Sequence, residues 1–236
     1  MKIMELGHYH QLFVNYHVAA EDLKPLLPPG VEMDLFEGRP VVSWVASTLQ
    51  DVKGVIFPWK LKEQAFALNL RTYVKQTQGS EPVRGFLNLE QWMSGFYVRK
   101  LHQILGLGNY EKLELTRSVH FEPYEKSSRG IFQYQWNIKG TESQILKLRT
   151  IGSPEPAMSG YIEYFTSEKQ VQFSYQKSEI KLQSYEHTPW FLWECDEVVL
   201  PQEWPSQKFA QWSLKSPASV FVVKGSKVFL GTKKAG

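Results

Sequence analysis

The sequence predicts an α+β fold in one domain, residues 1–236, built on a mostly antiparallel sheet that curls or closes on itself. Three observations carry this. Apolar and polar residues alternate with a period of two through most of the chain, the period of a strand with two unlike faces. Helical spacing is confined to a few short stretches. No repeat, low-complexity segment or linker divides the chain, and Pro154-Glu155-Pro156 is too short to be a domain boundary. So many strands in one domain leave edges that invite aggregation unless the sheet closes.

The elements follow in order. QLFVNYHV (11–18) is rich in β-branched and aromatic residues and reads as a strand. In AEDLKPLLPPG (20–30), Leu23, Leu26 and Leu27 stand at i, i+3 and i+4. Glu21 and Asp22 suit a first turn and Pro28-Pro29-Gly30 ends it, so a short helix is expected. VEMDLF, a turn at Glu37-Gly38-Arg39 and RPVVSWVASTL predict a β-hairpin with a buried second strand. A loop over 53–62 leads to ALNLRTYV (67–74), and after a turn at 79–82, VRGFLNLE is a further alternating strand. Trp92, Met93, Phe96, Tyr97, Leu101, Ile104 and Leu105 then form an apolar helical stripe stopped by Gly106 and Gly108. From about 112 to 185 strands return, with SGYIEYFTS (159–167) open between helix and strand. SVFVVKGSKVFLGT predicts a closing hairpin about Lys224-Gly225-Ser226.

Composition narrows the function. Hydrophobic residues are 42%, aromatics 14%, with eight tryptophans, which argues for a firm core. The net charge of +3 comes from scattered lysines, without the basic run that tracks phosphates, so nucleic acid is not an expected partner. The single cysteine, Cys195, excludes an intrachain disulfide and suits a reducing compartment. The first eighteen residues lack a signal-peptide pattern and no apolar run approaches the roughly 18 residues of a membrane span. A cytoplasmic protein without a membrane partner is expected.

Motifs with fixed chemistry are few. GLGNY (106–110) follows a helix and lacks the third glycine of a dinucleotide fingerprint, so it reads as a helix stop and no cofactor is expected. His8 and His10 share a face if their segment is a regular strand, but His17 is off phase and no Asp or Glu stands nearby at strand-compatible spacing; metal binding is not expected. Arg99-Lys100 sets a lysine beside a second cation, an arrangement that lowers a lysine pKa toward Schiff-base chemistry when it is buried in an apolar pocket. Here both residues fall toward the polar side of the predicted helix, so Lys100 is the weak catalytic candidate. Glu90 is read as the carboxylate at that helix's start. In HTPWFLWE (187–194) the X-Pro step puts His187 near a strand end, either as a pocket acid/base or as a hydrogen-bonded corner.

ALNLRTYV offers more. Leu68, Leu70, Thr72 and Val74 share one face; Ala67, Asn69, Arg71 and Tyr73 share the other. If the sheet closes, the second face lines an interior and presents a cation with hydrogen-bonding neighbours to a carboxylate or enolate. The alternatives are a polar face in water or an arginine paired within the structure.

The order NYHVAAEDLKPLLPPGVEMDLFEGRPVVSWVAS, ALNLRTYV, FLNLE with an aromatic helix, HTPW and VKGSKVFL resembles the YqjF-like family of uncharacterised bacterial proteins across nearly the whole chain. The resemblance implies the fold of acetoacetate decarboxylase, a cone-like antiparallel β-barrel with flanking helices around a cavity. Decarboxylases of that fold carry an adjacent lysine pair, whose nearest match here is Arg99-Lys100. Family members often have a glutamate where Ala67 stands and a histidine near Asn15, and this chain has neither.

The expected function is binding of a small anionic or carbonyl metabolite in the barrel. Arg71 is the anchor, Asn69 and Tyr73 are hydrogen-bond partners, and His187 and Trp190 lie at the rim. A decarboxylase- or aldolase-like enzyme using Lys100, and an interaction protein with a filled barrel, are the alternatives. The tryptophans are compatible with a homodimer.

Overall fold

A computed structural model describes residues 2–54, 60–78, 81–124, 127–138, 142–176, 178–206, 210, 212 and 216–233. Its elements are β1 (Lys2–His17), α1 (Ala20–Leu23) with a 3-10 turn at Lys24–Leu26, β2 (Glu32–Met33), β3 (Val41–Gly54), β4 (Ala65–Gln78) and β5 (Glu81–Met93). There follow α2 (Phe96–Ile104), β6 (Glu111–Lys112), β7 (Leu115–Tyr124), β8 (Ser127–Asn137) and β9 (Ser143–Pro156). The remainder is α3 (Ile162–Ser167), β10 (Val171–Gln176), β11 (Glu179–His187), β12 (Phe191–Val199) and β13 (Ser219–Lys233).

Seven strands close a barrel in the order β1-β3-β4-β5-β10-β11-β13, with β13 returning to β1. The barrel is mostly antiparallel, as expected, but not purely so: β5 and β10 run parallel, through Phe86 and Leu87 against Gln172 and Phe173. The reason is parity. Strand direction cannot alternate all the way round a ring with an odd number of members, so one pair must be parallel. The close approach there needs a glycine, because a Cβ on Gly85 would collide with the Val171 carbonyl.

Beyond β13 the sheet continues as a wing, β12-β9-β8-β7. β13 belongs to both parts. Phe221, Val222 and Val223 pair with β12, whereas the stretch from Val228 onward pairs with β11. The predicted hairpin at Lys224-Gly225-Ser226 is instead this switch, crossed by one continuous strand. Gly225 has φ +87° and lies against the backbone of His8 and Tyr9, and opposite it β1 bulges at His10, φ +48°.

The wing folds over the barrel's outer wall. Phe132, Tyr134, Trp136, Leu146, Leu148 and Trp193 pack on Leu12, Val14, Tyr16, Val42, Trp44, Leu68 and Leu70. Trp204 stacks on Trp44 with ring centres 4.4 Å apart, which fixes much of the tryptophan content in this interlayer core. β3 is consequently buried on both faces from Val41 to Leu49, one face to the wing and one to the interior. Such two-sided burial explains why its sequence is a nearly continuous apolar run.

Other local expectations divide. Phe36 and Arg39 close the predicted turn, but β2 pairs with β4, not with β3. α1, the stop at Gly106 and the buried strand β3 are borne out. Trp92 and Met93 end β5 and do not open the helix. α2 buries Val98 and His102, packs Leu101 and Leu105 against the interior cluster and leaves Phe96, Tyr97 and Ile104 exposed, so only part of the stripe read from the sequence faces inward. The helix is rotated because its first turn is held by Glu63, whose carboxylate accepts the backbone N–H groups of Phe96 and Val98 at 2.9 and 2.8 Å. Glu63 thus takes the capping role expected of Glu90, which lies in β5.

Candidate functional site

β4 alternates as its sequence demands. Leu68 and Leu70 join the core under the wing, whereas Ala67 and Tyr73 pack with residues of the interior. The barrel is plugged at one end by α2, whose Val98 joins the interior cluster with Leu107 just beyond the helix. α3 covers the other end, where Phe165 packs on Tyr73 and Phe36. Arg71 is enclosed between these plugs and is 7% exposed.

Its surroundings are aromatic and dipolar. The guanidinium carbon lies 4.6 Å from the ring centre of Phe13, 4.8 Å from Phe86 and 5.6 Å from Tyr73. Nη2 donates to the Thr166 carbonyl of α3 at 2.7 Å and Nε to the Tyr73 hydroxyl at 3.2 Å. Tyr73 and the Ser43 hydroxyl are 2.7 Å apart, Ser43 donates to Asn15 Oδ1, and Asn15 Nδ2 donates to Ser219 Oγ at 2.8 Å. The Tyr73 oxygen is therefore engaged on both sides, accepting from Arg71 and donating to Ser43. Among the described residues no carboxylate lies within ion-pairing distance of Arg71, and Nη1 has no acceptor.

A second group of residues faces this cation. His8 Nδ1 is hydrogen-bonded to the Tyr185 hydroxyl, and the Tyr185 ring meets Phe86 edge-on at 5.7 Å. Phe86 is thus shared by Arg71 and Tyr185. Burial lowers His8 from 6.5 to about 3, helped by the charge of Arg71. His187 is stacked on Trp190 at 4.2 Å, and its Nδ1 contacts the Thr188 carbonyl at 2.8 Å. Burial lowers its pKa too, partly opposed by that backbone contact, and the Arg71 charge adds to the lowering. Glu168, just past α3, accepts the Trp190 backbone N–H at 2.7 Å, and burial raises its pKa. His8 Nε2, His187 Nε2, Ser167 Oγ and Asn69 Oδ1 are buried without a hydrogen-bond partner. Such atoms call for water or a ligand in the interior.

The structure gathers Arg71 and Tyr73 on one inner face and puts His187 and Trp190 at the corner where the chain passes from barrel to wing. Asn69 lies on the Arg71 side of β4, paired with Val45 and Gln91. Lys100 is elsewhere, exposed on α2 and bonded to Gln103 at 3.3 Å. None of the described lysines is buried. His8 and His10 do not share a face, because the bulge turns His10 onto Phe132 of the wing, 5.3 Å away. Among the described residues no three His, Cys, Asp or Glu side chains converge as metal ligands.

Sequence reasoning missed His8 in this role, along with Tyr185, Asn15, Ser43 and Glu168. The signal was present for most of them. Gln183, Tyr185 and His187 alternate along β11, and Asn15 and Ser43 are small polar residues set in apolar strands. Asp34 was also missed: almost fully buried, it pairs with Arg84 and with Lys169 at 2.9 Å and so ties the end of α3 to the barrel wall. Outside the barrel, a cleft of about 540 Å³ runs along the β5–β10 seam and reaches Asn88, Gln91 and Gln172.

The closed seven-stranded barrel with its wing matches the fold of acetoacetate-decarboxylase-like proteins. Three similar solved structures bear this out at the level of fold. The enduracididine biosynthesis enzyme MppR complexed with pyruvate has a TM-score of 0.63 and 12% identity, covering 99% of this chain and 90% of its own. An acetoacetate decarboxylase-like enzyme from Sphingomonas wittichii RW1 gives 0.61 and 12%, covering 100% and 94%. Acetoacetate decarboxylase from Legionella pneumophila gives 0.64 and 12%, covering 98% and 86%. The chain belongs to the DUF2071 family of uncharacterized conserved proteins, which matches residues 7–227, as the YqjF-like resemblance implied. No curated protein matches it significantly. No helix among the described residues is long and apolar enough to cross a membrane.

Proposed function

We propose that the protein binds a small carboxylate-bearing or enolisable carbonyl metabolite inside the barrel, with Arg71 as the anion anchor. One observation carries this: a buried guanidinium that has dipoles for company and no counter-charge among the described residues. Burying an unpaired ion costs several kcal/mol, and an anionic ligand removes that cost. Tyr73 and Thr166 hold the guanidinium, Nη1 is left for the ligand, and Asn69 supplies a free amide oxygen. His187 and Trp190 shape the rim. The pyruvate bound by MppR is an acid of the size and charge this reading requires.

The Schiff-base alternative draws no support from Lys100, which is exposed outside the barrel. The unpartnered polar atoms of the interior weigh against a barrel filled only by side chains. A thermal-shift screen of small carboxylates against the wild type and Arg71→Met tests the proposal. Stabilisation by 2-oxo or 3-oxo acids that disappears in the variant is the expected result. An identical ligand profile in the two proteins overturns it.

A further inference from the structure

The barrel interior holds one group that anion binding alone does not use. His8 is 8% exposed, yet its Nε2 has no partner, while Nδ1 is fixed by the Tyr185 hydroxyl. With the proton on Nδ1 donated to Tyr185, Nε2 carries a bare lone pair inside the barrel. Phe86 bridges the two groups, with the Arg71 guanidinium 4.8 Å from its ring centre and Tyr185 meeting it edge-on. An acid held by Arg71 therefore lies beside a histidine that is oriented, dehydrated and uncommitted.

We propose that His8 is the proton-transfer group of this interior and that the protein enolises 2-oxo carboxylates, a reading that rests on Arg71 anchoring the carboxylate. The step balances without a co-reactant. His8 Nε2 takes a proton from C3 of the bound acid, the C3–H electron pair becomes the C2=C3 bond, and the C2=O π pair moves onto oxygen. Nε2 then returns the proton to that oxygen, giving the enol, or to C3, restoring the ketone. Nothing is oxidised or reduced, and no lysine is needed. The groups around His8 are Tyr185 and His187 from β11, Arg71 from β4 and His102 from α2. Arg71 is the cation among them, and its charge adds to burial in holding His8 neutral. A bound carboxylate offsets that charge and raises the basicity of His8 when substrate arrives. Tyr185 touches no reacting atom in this scheme and is a positioning residue.

The test uses the full chain with 2-oxobutanoate in D₂O, following loss of the C3 proton signal by NMR and binding by saturation transfer to the same compound. The wild type is expected to bind and to exchange C3 protons at least about 100-fold faster than buffer. His8→Gln keeps saturation transfer and loses about 100-fold in exchange, and Arg71→Met loses both. Tyr185→Phe keeps the ring on Phe86, lowers exchange about tenfold and displaces its pH profile, so the proposal remains testable if His8→Gln does not fold. Binding with exchange at the buffer rate overturns the role of His8 and leaves the anion site standing. Failure of the wild type to bind 2-oxobutanoate overturns the substrate class, and unchanged exchange in His8→Gln assigns the proton transfer elsewhere.

Discussion

Replacing Arg71 by Met separates a ligand anchor from a framework residue, because the two roles predict opposite stabilities. The substitution deletes a 2.7 Å bond to Thr166 and a 3.2 Å bond to Tyr73. Hydrogen bonds to a charged group contribute about 1.5–3 kcal/mol each, so their loss costs about 3–6 kcal/mol. Contacts with three rings add about 1 kcal/mol or more. Against this stands relief from burying a cation with no counter-charge, worth several kcal/mol. The terms nearly cancel, and the ligand-free variant should unfold within about 2 kcal/mol of the wild type in urea. For a chain this long that is a change in Tm below about 8 °C. The same variant should lose at least about 100-fold in carboxylate affinity, about 2.7 kcal/mol. NMR titration should show His8 and His187 more basic once the Arg71 charge is gone. A destabilisation above about 4 kcal/mol with the ligand profile intact would refute the reasoning and make Arg71 a structural strut.

Other outcomes test the frame around the site. His102 is buried with both ring nitrogens unpartnered, and burial lowers it from 6.5 to about 4. The unfolded chain therefore binds the extra proton, so stability is full above pH 6.5 and falls as pH drops toward 4. At about 1.36 kcal/mol per pK unit the loss is about 3 kcal/mol. His102→Leu should raise stability by about 1–3 kcal/mol and flatten this acid limb, read from Tm against pH; an unchanged limb assigns the acid sensitivity to other groups. Asp34→Asn leaves Lys169 without its buried carboxylate and should cost about 3–5 kcal/mol, with faster amide exchange in α3 than elsewhere. Uniform exchange would show that α3 does not depend on this pair. Gly85→Ala drives a methyl group into the Val171 carbonyl and should part β5 from β10, seen as early loss of amide protection in β10.

Much of the barrel was legible because strand alternation is a local property. β4 shows this best: the face holding Ala67, Asn69, Arg71 and Tyr73 is the interior face, as the period of two requires. What was illegible depends on partners distant in sequence. Gly225 reads as a turn residue, but its positive φ serves the place where one strand leaves the wing for the barrel. Phe96, Tyr97 and Ile104 form a proper apolar stripe, yet the orientation of α2 is set by Glu63, more than thirty residues earlier. His8 was obscured differently. A regular strand would keep it in phase with His10, and the bulge that separates them leaves no mark in a single sequence.

The hydrogen-bond relay also bears on why the interior stays charged. From Arg71 Nε through Tyr73 and Ser43 to Asn15 and Ser219, every donor points away from the guanidinium and every lone pair points back toward it. Such a chain is polarised by the cation and strengthens cooperatively, which fixes the position of Arg71. Dipoles cannot neutralise it, however, and its field still reaches His8, His187 and Lys169. A carboxylate in place of Asn15 or Ser43 would hold the arginine more firmly and extinguish that field. The arrangement thus leaves a buried positive charge without a counter-ion among the described residues, and Nη1 is where the proposed anionic ligand would meet it.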